Sequence, residues 1–228
     1  MKQLVIFSGA GISAESGINT FRGEDGLWEN HRLEDVATPL AWIKDKEMVL
    51  RFYNERRHQI IESEPNEAHH ACRLLEDKFA THLITQNIDD LHERAGSSSV
   101  LHLHGEIRKA RSTKDPSLLL EIEGAELNLG DLCPLKSQLR PHVVWFGEAV
   151  PAMDPAFEIC ARADYFIVVG TSLNVYPAAG LIHQLKPGCK VFLVDPDPNI
   201  KVPDHVTYIN EKASLGLTKL AQKLLIEE

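Results

Sequence analysis

The apolar run Leu4-Val5-Ile6-Phe7 passes directly into Gly9-Ala10-Gly11-Ile12-Ser13-Ala14, so a buried strand must run into a glycine turn and then into a helix. Such a turn constrains the fold strongly. Gly9 permits the tight reversal, Gly11 lets a backbone approach a pyrophosphate, and Ala14 stands where a third glycine would let the helix pack closely on the sheet. A strand-to-helix turn that binds nothing carries the same pattern, so the turn alone leaves both readings open.

A dinucleotide site of the usual kind also needs an acid at the end of the next strand, about 20 residues on, to meet the adenosine ribose. Glu24 and Asp25 sit instead in the polar turn Arg22-Gly23-Glu24-Asp25-Gly26, with no apolar run before them. Asp195 is better placed, because it closes the run Val191-Phe192-Leu193-Val194. A dinucleotide held this way would lie in an orientation unusual for a dehydrogenase.

Strands are expected at residues 4–8, 81–86, 100–104, 165–170, 191–195 and 206–209, and helices at 67–77, 154–163, 178–185 and 214–225, with further helices within 39–61. Near-continuous apolar strands suit a parallel sheet covered on both faces, and their alternation with helices makes the fold class α/β, a Rossmann-like doubly wound parallel sheet. Two insertions interrupt it, a helical one at 23–64 and one at 105–141 that lacks a clear period. The expected organisation is a single unit spanning 1–228. Its large nucleotide-binding domain comprises 1–22, 65–104 and 142–228, and a small module is made by the two insertions.

With 228 residues, 43% of them hydrophobic, the chain can bury one sizeable core and a smaller one. Its net charge of −9 argues against direct nucleic-acid binding, which needs a basic face. No apolar stretch approaches the ~18 residues of a membrane span, and the first strand starts almost at residue 1, so a cytoplasmic location is expected. Cys72, Cys133, Cys160 and Cys189 form no CxxC pair, which gives neither a redox motif nor a disulfide framework.

Ligands of open α/β sheets collect at the carboxyl ends of the strands. Gln86-Asn87-Ile88-Asp89-Asp90, His104-Gly105 and Gly170-Thr171-Ser172 follow three of the expected strands. Each reads equally well as a turn or helix cap, but their convergence on one sheet edge marks a site.

Taken together, Gly9-Ala10-Gly11-Ile12-Ser13 with Gly17-Ile18 and Phe21-Arg22-Gly23, Thr85-Gln86-Asn87-Ile88-Asp89, His104-Gly105, the run from Arg140 to Glu148, and Gly170-Thr171-Ser172-Leu173 resemble the sirtuin family of NAD-dependent protein-lysine deacylases, in that family's order. The resemblance implies NAD as cofactor, lying across Gly9, Ala10 and Gly11. Gln86 would then be near the nicotinamide ribose, and Asn87 and Asp89 near the nicotinamide. Gly170, Thr171, Ser172, Asp195 and Ala213 complete the implied cofactor contacts, and Phe21 and Arg22 belong to a covering loop that Gly23 and Gly26 let move. It also implies His104 as general base and Asn87 as its catalytic companion. A histidine suits that role near neutrality, although the residues alone read equally as a buried histidine or as half of a metal pair with His102. Val144, Phe146 and Gly147 match the strand segment on which an acyl-lysine peptide pairs, with Phe146 walling the lysine channel.

Tyr53 and Arg56 lie three apart and share a helix face, resembling the Tyr-x-x-Arg signature of sirtuins that remove succinyl, malonyl or glutaryl groups. A guanidinium and a phenol can replace the water around an acyl carboxylate, at about 1.5–3 kcal/mol per charge-assisted bond, favouring an acidic chain over acetyl by ~10- to 100-fold. A solvated helix face is the alternative. The family's structural zinc is not expected. Ser112 and Asp115 align with its first cysteine pair and Cys133 and Lys136 with its second, and one thiolate cannot make a tetrahedral sulfur site. A protein ADP-ribosyltransferase, a deacylase for another polar acyl group and a non-catalytic NAD-binding module are the remaining readings. The expected partner is acylated lysine in proteins, and the expected state a monomer.

Overall fold

A computed structural model describes residues 1–19, 31–171, 178–200 and 202–227. Nine strands are described: β1 (Gln3–Ser8), β2 (Ala80–Thr85), β3 (Val100–His102), β4 (Gly105–Ser112), β5 (Leu119–Glu121), β6 (Leu139–Val143), β7 (Tyr165–Val169), β8 (Lys190–Val194) and β9 (Val206–Ile209). Described helices are α1 (Leu33–Val36), α2 (Pro39–Lys44), α3 (Lys46–Glu62), α4 (Glu67–Leu75), α5 (Leu91–Arg94), α6 (Met153–Cys160) and α7 (Ala213–Glu227). None is long and apolar enough to cross a membrane.

Six strands form one parallel sheet in the order β3-β2-β1-β7-β8-β9. Side chains alternate across β1, as the strand's period of two requires. Leu4 and Ile6 enter the core that α4 and α7 cover, whereas Val5 and Phe7 enter the core on the α6 side. The chain winds outward from β1 toward β3 and from β7 toward β9, so the strand order reverses between β1 and β7. That is where an open α/β sheet leaves a crevice.

The turns after β1 and β7 meet at this crevice. Gly9 N–H donates to the Val169 carbonyl at 3.0 Å and Gly11 N–H to the Gly170 carbonyl at 2.8 Å. A Cβ on Gly11 would lie 2.7 Å from Gly170 Cα, and Gly170 itself holds φ +64°. The segment after β1 therefore forms two 3-10 turns, Ala10–Ile12 and Ala14–Ser16, rather than the expected helix. The 178–185 helix is likewise a 3-10 helix, Ala178–Gln184.

The stretch read as lacking a period is a three-stranded antiparallel sheet, ordered β5-β4-β6. Its alternation is hidden in the sequence because the β4–β6 register shifts between Gly105 and Ala110, which breaks the inward spacing of Ile107 and Ala110. The helical insertion packs on this sheet, with Trp42, Val49, Phe52 and Tyr53 sharing one apolar cluster with Ile107, Leu139 and Trp145. Two caps divide its helices. Thr38 accepts the Ala41 N–H ahead of α2, and Asp45 accepts the Met48 N–H where α3 begins. Arg57, fully buried on α3, donates to the Ile107 and Ala125 carbonyls at 2.7 Å each and to Asn54 Oδ1 at 2.8 Å.

Gly105 begins β4 immediately after His104, at φ +83°, with a would-be Cβ 2.1 Å from the His142 carbonyl oxygen. We predict that Gly105→Ala costs about 3 kcal/mol or more of unfolding free energy. Urea denaturation of the two proteins checks this, and an unchanged midpoint would contradict it.

Candidate active site

Residues from segments that follow strands of both sheets, together with residues of α3, line a cavity of ≈ 230 Å³. Ala10 comes from the glycine turn, Gln86, Asn87 and Asp89 from the segment after β2, and His104 from the link between β3 and β4. Tyr53 and Arg56 come from α3, and Val144, Phe146 and Gly147 from the segment after β6. Ten of the expected site residues thus converge. Gly9 and Gly11 adjoin the cavity through the turn described above, and Thr171 reaches it by donating from Oγ1 to Gln86 Oε1 at 3.0 Å. Asp195 follows β8, its carboxylate accepting the Asp197 N–H at 2.9 Å, and Ala213 starts α7. Phe21, Arg22 and Ser172 lie outside the described residues.

The imidazole of His104 has a defined proton. Its Nδ1 lies 2.9 Å from the Gln86 carbonyl, which can only accept, so Nδ1 carries hydrogen and Nε2 keeps a lone pair. Burial pulls its pKa below the ordinary histidine value, and the Gln86 hydrogen bond opposes this only in part. The ring is therefore a neutral base at pH 7.

Beneath the cavity lies a polar network that sequence reasoning missed. Asn66 N–H donates to His69 Nδ1 at 3.2 Å in the capping box of α4, so His69 Nε2 bears the hydrogen and points it at Ser13 Oγ, 3.5 Å away. Ser13 in turn donates to Asp89 Oδ2 at 3.0 Å, while Asn87 Nδ2 donates to Ser13 Oγ at 3.2 Å and to the Gly9 carbonyl at 3.3 Å. On the other side, His92 Nε2 lies 2.9 Å from Ser8 Oγ, which donates to Thr85 Oγ1. Thr85 Oγ1 also accepts the Asn87 N–H at 3.0 Å. The only sequence hint was Asn66 three residues before His69, which marks a helix start.

The segment 144–147 is not a strand. Val144 N–H donates to the His104 carbonyl at 2.9 Å, Phe146 N–H to the Ala37 carbonyl at 3.0 Å, and a turn at Gly147, φ +87°, brings Glu148 N–H to the Trp145 carbonyl. The Glu148 carboxylate accepts from Arg111, from Arg140 and from the Trp145 N–H. These bonds and charges outweigh its burial and hold its pKa below the usual carboxylate value. Arg140 also stacks 3.2 Å over the Trp145 ring, and Trp145 Nε1 donates to the Tyr53 hydroxyl at 3.0 Å. Arg56 donates to Gln59 Oε1 at 3.0 Å and to the Asn19 carbonyl at 3.1 Å.

Where sulfur ligands of a metal would be sought, hydrogen bonds join the chain. Cys133 Sγ donates to Ser112 Oγ at 3.2 Å, and Ser112 Oγ accepts the N–H groups of Lys114 and Asp115. Asp115 turns its carboxylate to Ser117, and Lys136 occupies a turn at φ +55°. Among the described residues no group of three or more His, Cys, Asp and Glu could hold a metal.

A dinucleotide fits the crevice. A Cβ on Gly9 would lie 2.6 Å from Thr171 Cβ and 2.8 Å from the Gly170 carbonyl oxygen, so glycine there lets the turns after β1 and β7 close up at the crevice. Gln86 Nε2 is buried in the cavity wall with no partner among the described residues, a donor awaiting a ligand.

Comparison with known proteins agrees with this geometry. Residues 9–177 match the model of the Sir2 family. An NAD-dependent protein deacylase of Helicobacter pylori is 52% identical over 99% of this chain and 98% of its own length, and one of Bacteroides thetaiotaomicron is 46% identical over 99% of both chains. A crystal structure of a Sir2 homologue in complex with NAD superposes with a TM-score of 0.88 at 43% identity, covering 98% of this chain and 90% of the other.

Burial lowers the His69 pKa from 6.5 to about 4 and keeps His92 well below the ordinary value. Below pH 6.5 the unfolded chain binds protons that the folded one refuses, so stability falls as pH drops from 6.5 toward 4. His69 alone accounts for about 3 kcal/mol of that loss. Between pH 7 and 4.5 the melting temperature of His69→Gln should therefore fall less than that of the parent protein. Parallel slopes in calorimetry would contradict this.

Proposed function

The chain belongs to the Sir2 family, and on that footing we propose that it is an NAD-dependent protein-lysine deacylase preferring succinyl, malonyl or glutaryl groups. The carrying observation is that one cavity is lined both by His104, Asn87 and Asp89 and by Tyr53 and Arg56. Bound NAD would supply an electrophilic ribose carbon bearing nicotinamide as leaving group. The acyl oxygen of the modified lysine takes nicotinamide's place, one water is consumed in releasing the amine, and the products are nicotinamide, free lysine and O-acyl-ADP-ribose.

In this reading the glycine turn and Gln86 hold the phosphates and ribose. Asn87 and Asp89, oriented through Ser13, hold the nicotinamide. His104 Nε2 accepts a proton from a ribose hydroxyl, with the ring fixed by its Nδ1–H on Gln86. Phe146 and Trp145 wall the lysine stem and keep water from the reacting carbon. Arg56, on the cavity wall, offers the charged fork that an acyl carboxylate needs once desolvated.

Arg56→Met should lower kcat/KM for a succinyl-lysine peptide by ~10- to 100-fold and for the acetyl peptide by no more than about threefold, measured as nicotinamide released. Equal losses would remove the acidic preference. Tyr53→Phe is the less clean probe, because it strips the acceptor from the buried Trp145 Nε1 and costs about 1–3 kcal/mol of stability. Label from NAD retained on the protein acceptor would instead indicate ADP-ribosyl transfer.

The proposal includes a small module without zinc, supported by the Ser112–Cys133 hydrogen bond and by the aspartate and lysine at the other two positions. Elemental analysis should find far less than one zinc per purified chain, and chelators should leave the melting temperature unchanged. Stoichiometric zinc would overturn it.

A further inference from the structure

The segment that holds nicotinamide in the proposed reaction is gripped from behind by a second histidine. His104 and His102 are two apart, and each turns Nδ1 to a backbone carbonyl of the same segment: His104 to Gln86 at 2.9 Å, His102 to Asn87 at 2.8 Å. They differ at Nε2. That of His102 lies 2.8 Å from Glu93 Oε1 on α5, in an ion pair whose histidine side chain is 7% exposed.

A carbonyl and a carboxylate are both acceptors, so His102 can satisfy the two only as an imidazolium with hydrogen on each nitrogen. We propose that Glu93 and His102 form a positioning dyad for the 87–89 turn, fixing the Asn87 carbonyl so that Asn87 and Asp89 meet the cofactor. This rests on the deacylase reading for the role of the turn, but not for the dyad itself.

The surroundings favour the cation. Besides Glu93, acids reach this side of the turn from the turn itself (Asp89 and Asp90), from β4 (Glu106) and from β5 (Glu121). The basic residues there are Arg108 and Lys109 of β4. Lys109 pairs with Glu106 at 2.8 Å, and Arg108 lies 3.9 Å from Asp90. His92 of α5 is neutral. Burial alone would depress the His102 pKa, yet the Glu93 hydrogen bond and charge hold it above the ordinary value. The cation also acts on the site, since its charge offsets part of the burial that raises the Asp89 pKa. When pH rises through the His102 pKa, one hydrogen is lost and the ring can serve Glu93 or Asn87, but not both.

Two variants and one spectrum test this. His102→Gln should lower kcat for nicotinamide release about 10-fold, with KM for the acyl peptide unchanged. Glu93→Gln keeps a hydrogen-bonding partner but removes the charge, so the pH at which His102 titrates should move down by about one pH unit or more. Nitrogen-15 shifts of the parent protein's histidines should show His102 doubly protonated at pH 7.5 and neutral in Glu93→Gln. A neutral His102 in the parent, an unshifted His102 titration in Glu93→Gln, or parental kcat in His102→Gln would overturn the dyad. If His102→Gln fails to fold, the spectrum and the Glu93 variant decide. If the parent releases no nicotinamide from any acylated peptide, the deacylase reading falls, and the spectrum still decides the dyad.

Discussion

The Gly11 N–H to Gly170 carbonyl bond at 2.8 Å is the contact on which the rest of the molecule depends. It forms only because neither residue has a Cβ, and it draws together the ends of β1 and β7 where the winding of the sheet reverses. The crevice and the inward aim of Thr171 toward Gln86 both follow from that approach. Ser13 sits two residues beyond Gly11, so the same contact sets the serine through which His69, Asn87 and Asp89 are linked.

A second interaction joins the small sheet to the cavity. Glu148 gathers Arg111 of β4, Arg140 of β6 and the backbone of Trp145 onto one carboxylate, and Arg140 covers the Trp145 ring. Trp145 then reaches Tyr53. A displacement of β4 against β6 would thus reach the α3 wall of the cavity through three side chains. Ser112 and Cys133 lie at the far end of β4 and in the loop before β6. Their hydrogen bonds therefore help fix the frame from which Glu148 works.

Much of this was legible in the sequence where one residue type has one physical use. The run of residues 4–8 into Gly9 and Gly11, and the buried strands 165–170 and 191–195, gave the parallel sheet because continuous apolar runs have no other stable home. The polar residues after those strands marked the site. What stayed hidden needed long-range pairing. The β4–β6 sheet was masked by its register shift, and the 3-10 turns after Gly9 replaced a helix because the close approach to Gly170 dictated the backbone path. The segment 144–147 turned rather than extended, since Gly147 lies in the left-handed region. His69 and His92 could not be read as partners of Ser13 and Ser8, because 56 and 84 residues separate them.

The α3 helix carries two duties. Arg57 and Asn54 fasten it to the small module through Ile107, Ala125 and Leu127, whereas Tyr53 and Arg56 line the cavity. Tyr53 serves both, since it also packs in the apolar cluster and accepts from Trp145 Nε1. Under the proposed acyl preference, an exchange at Arg56 would retune the pocket while Arg57 and Asn54 keep the helix in its seat.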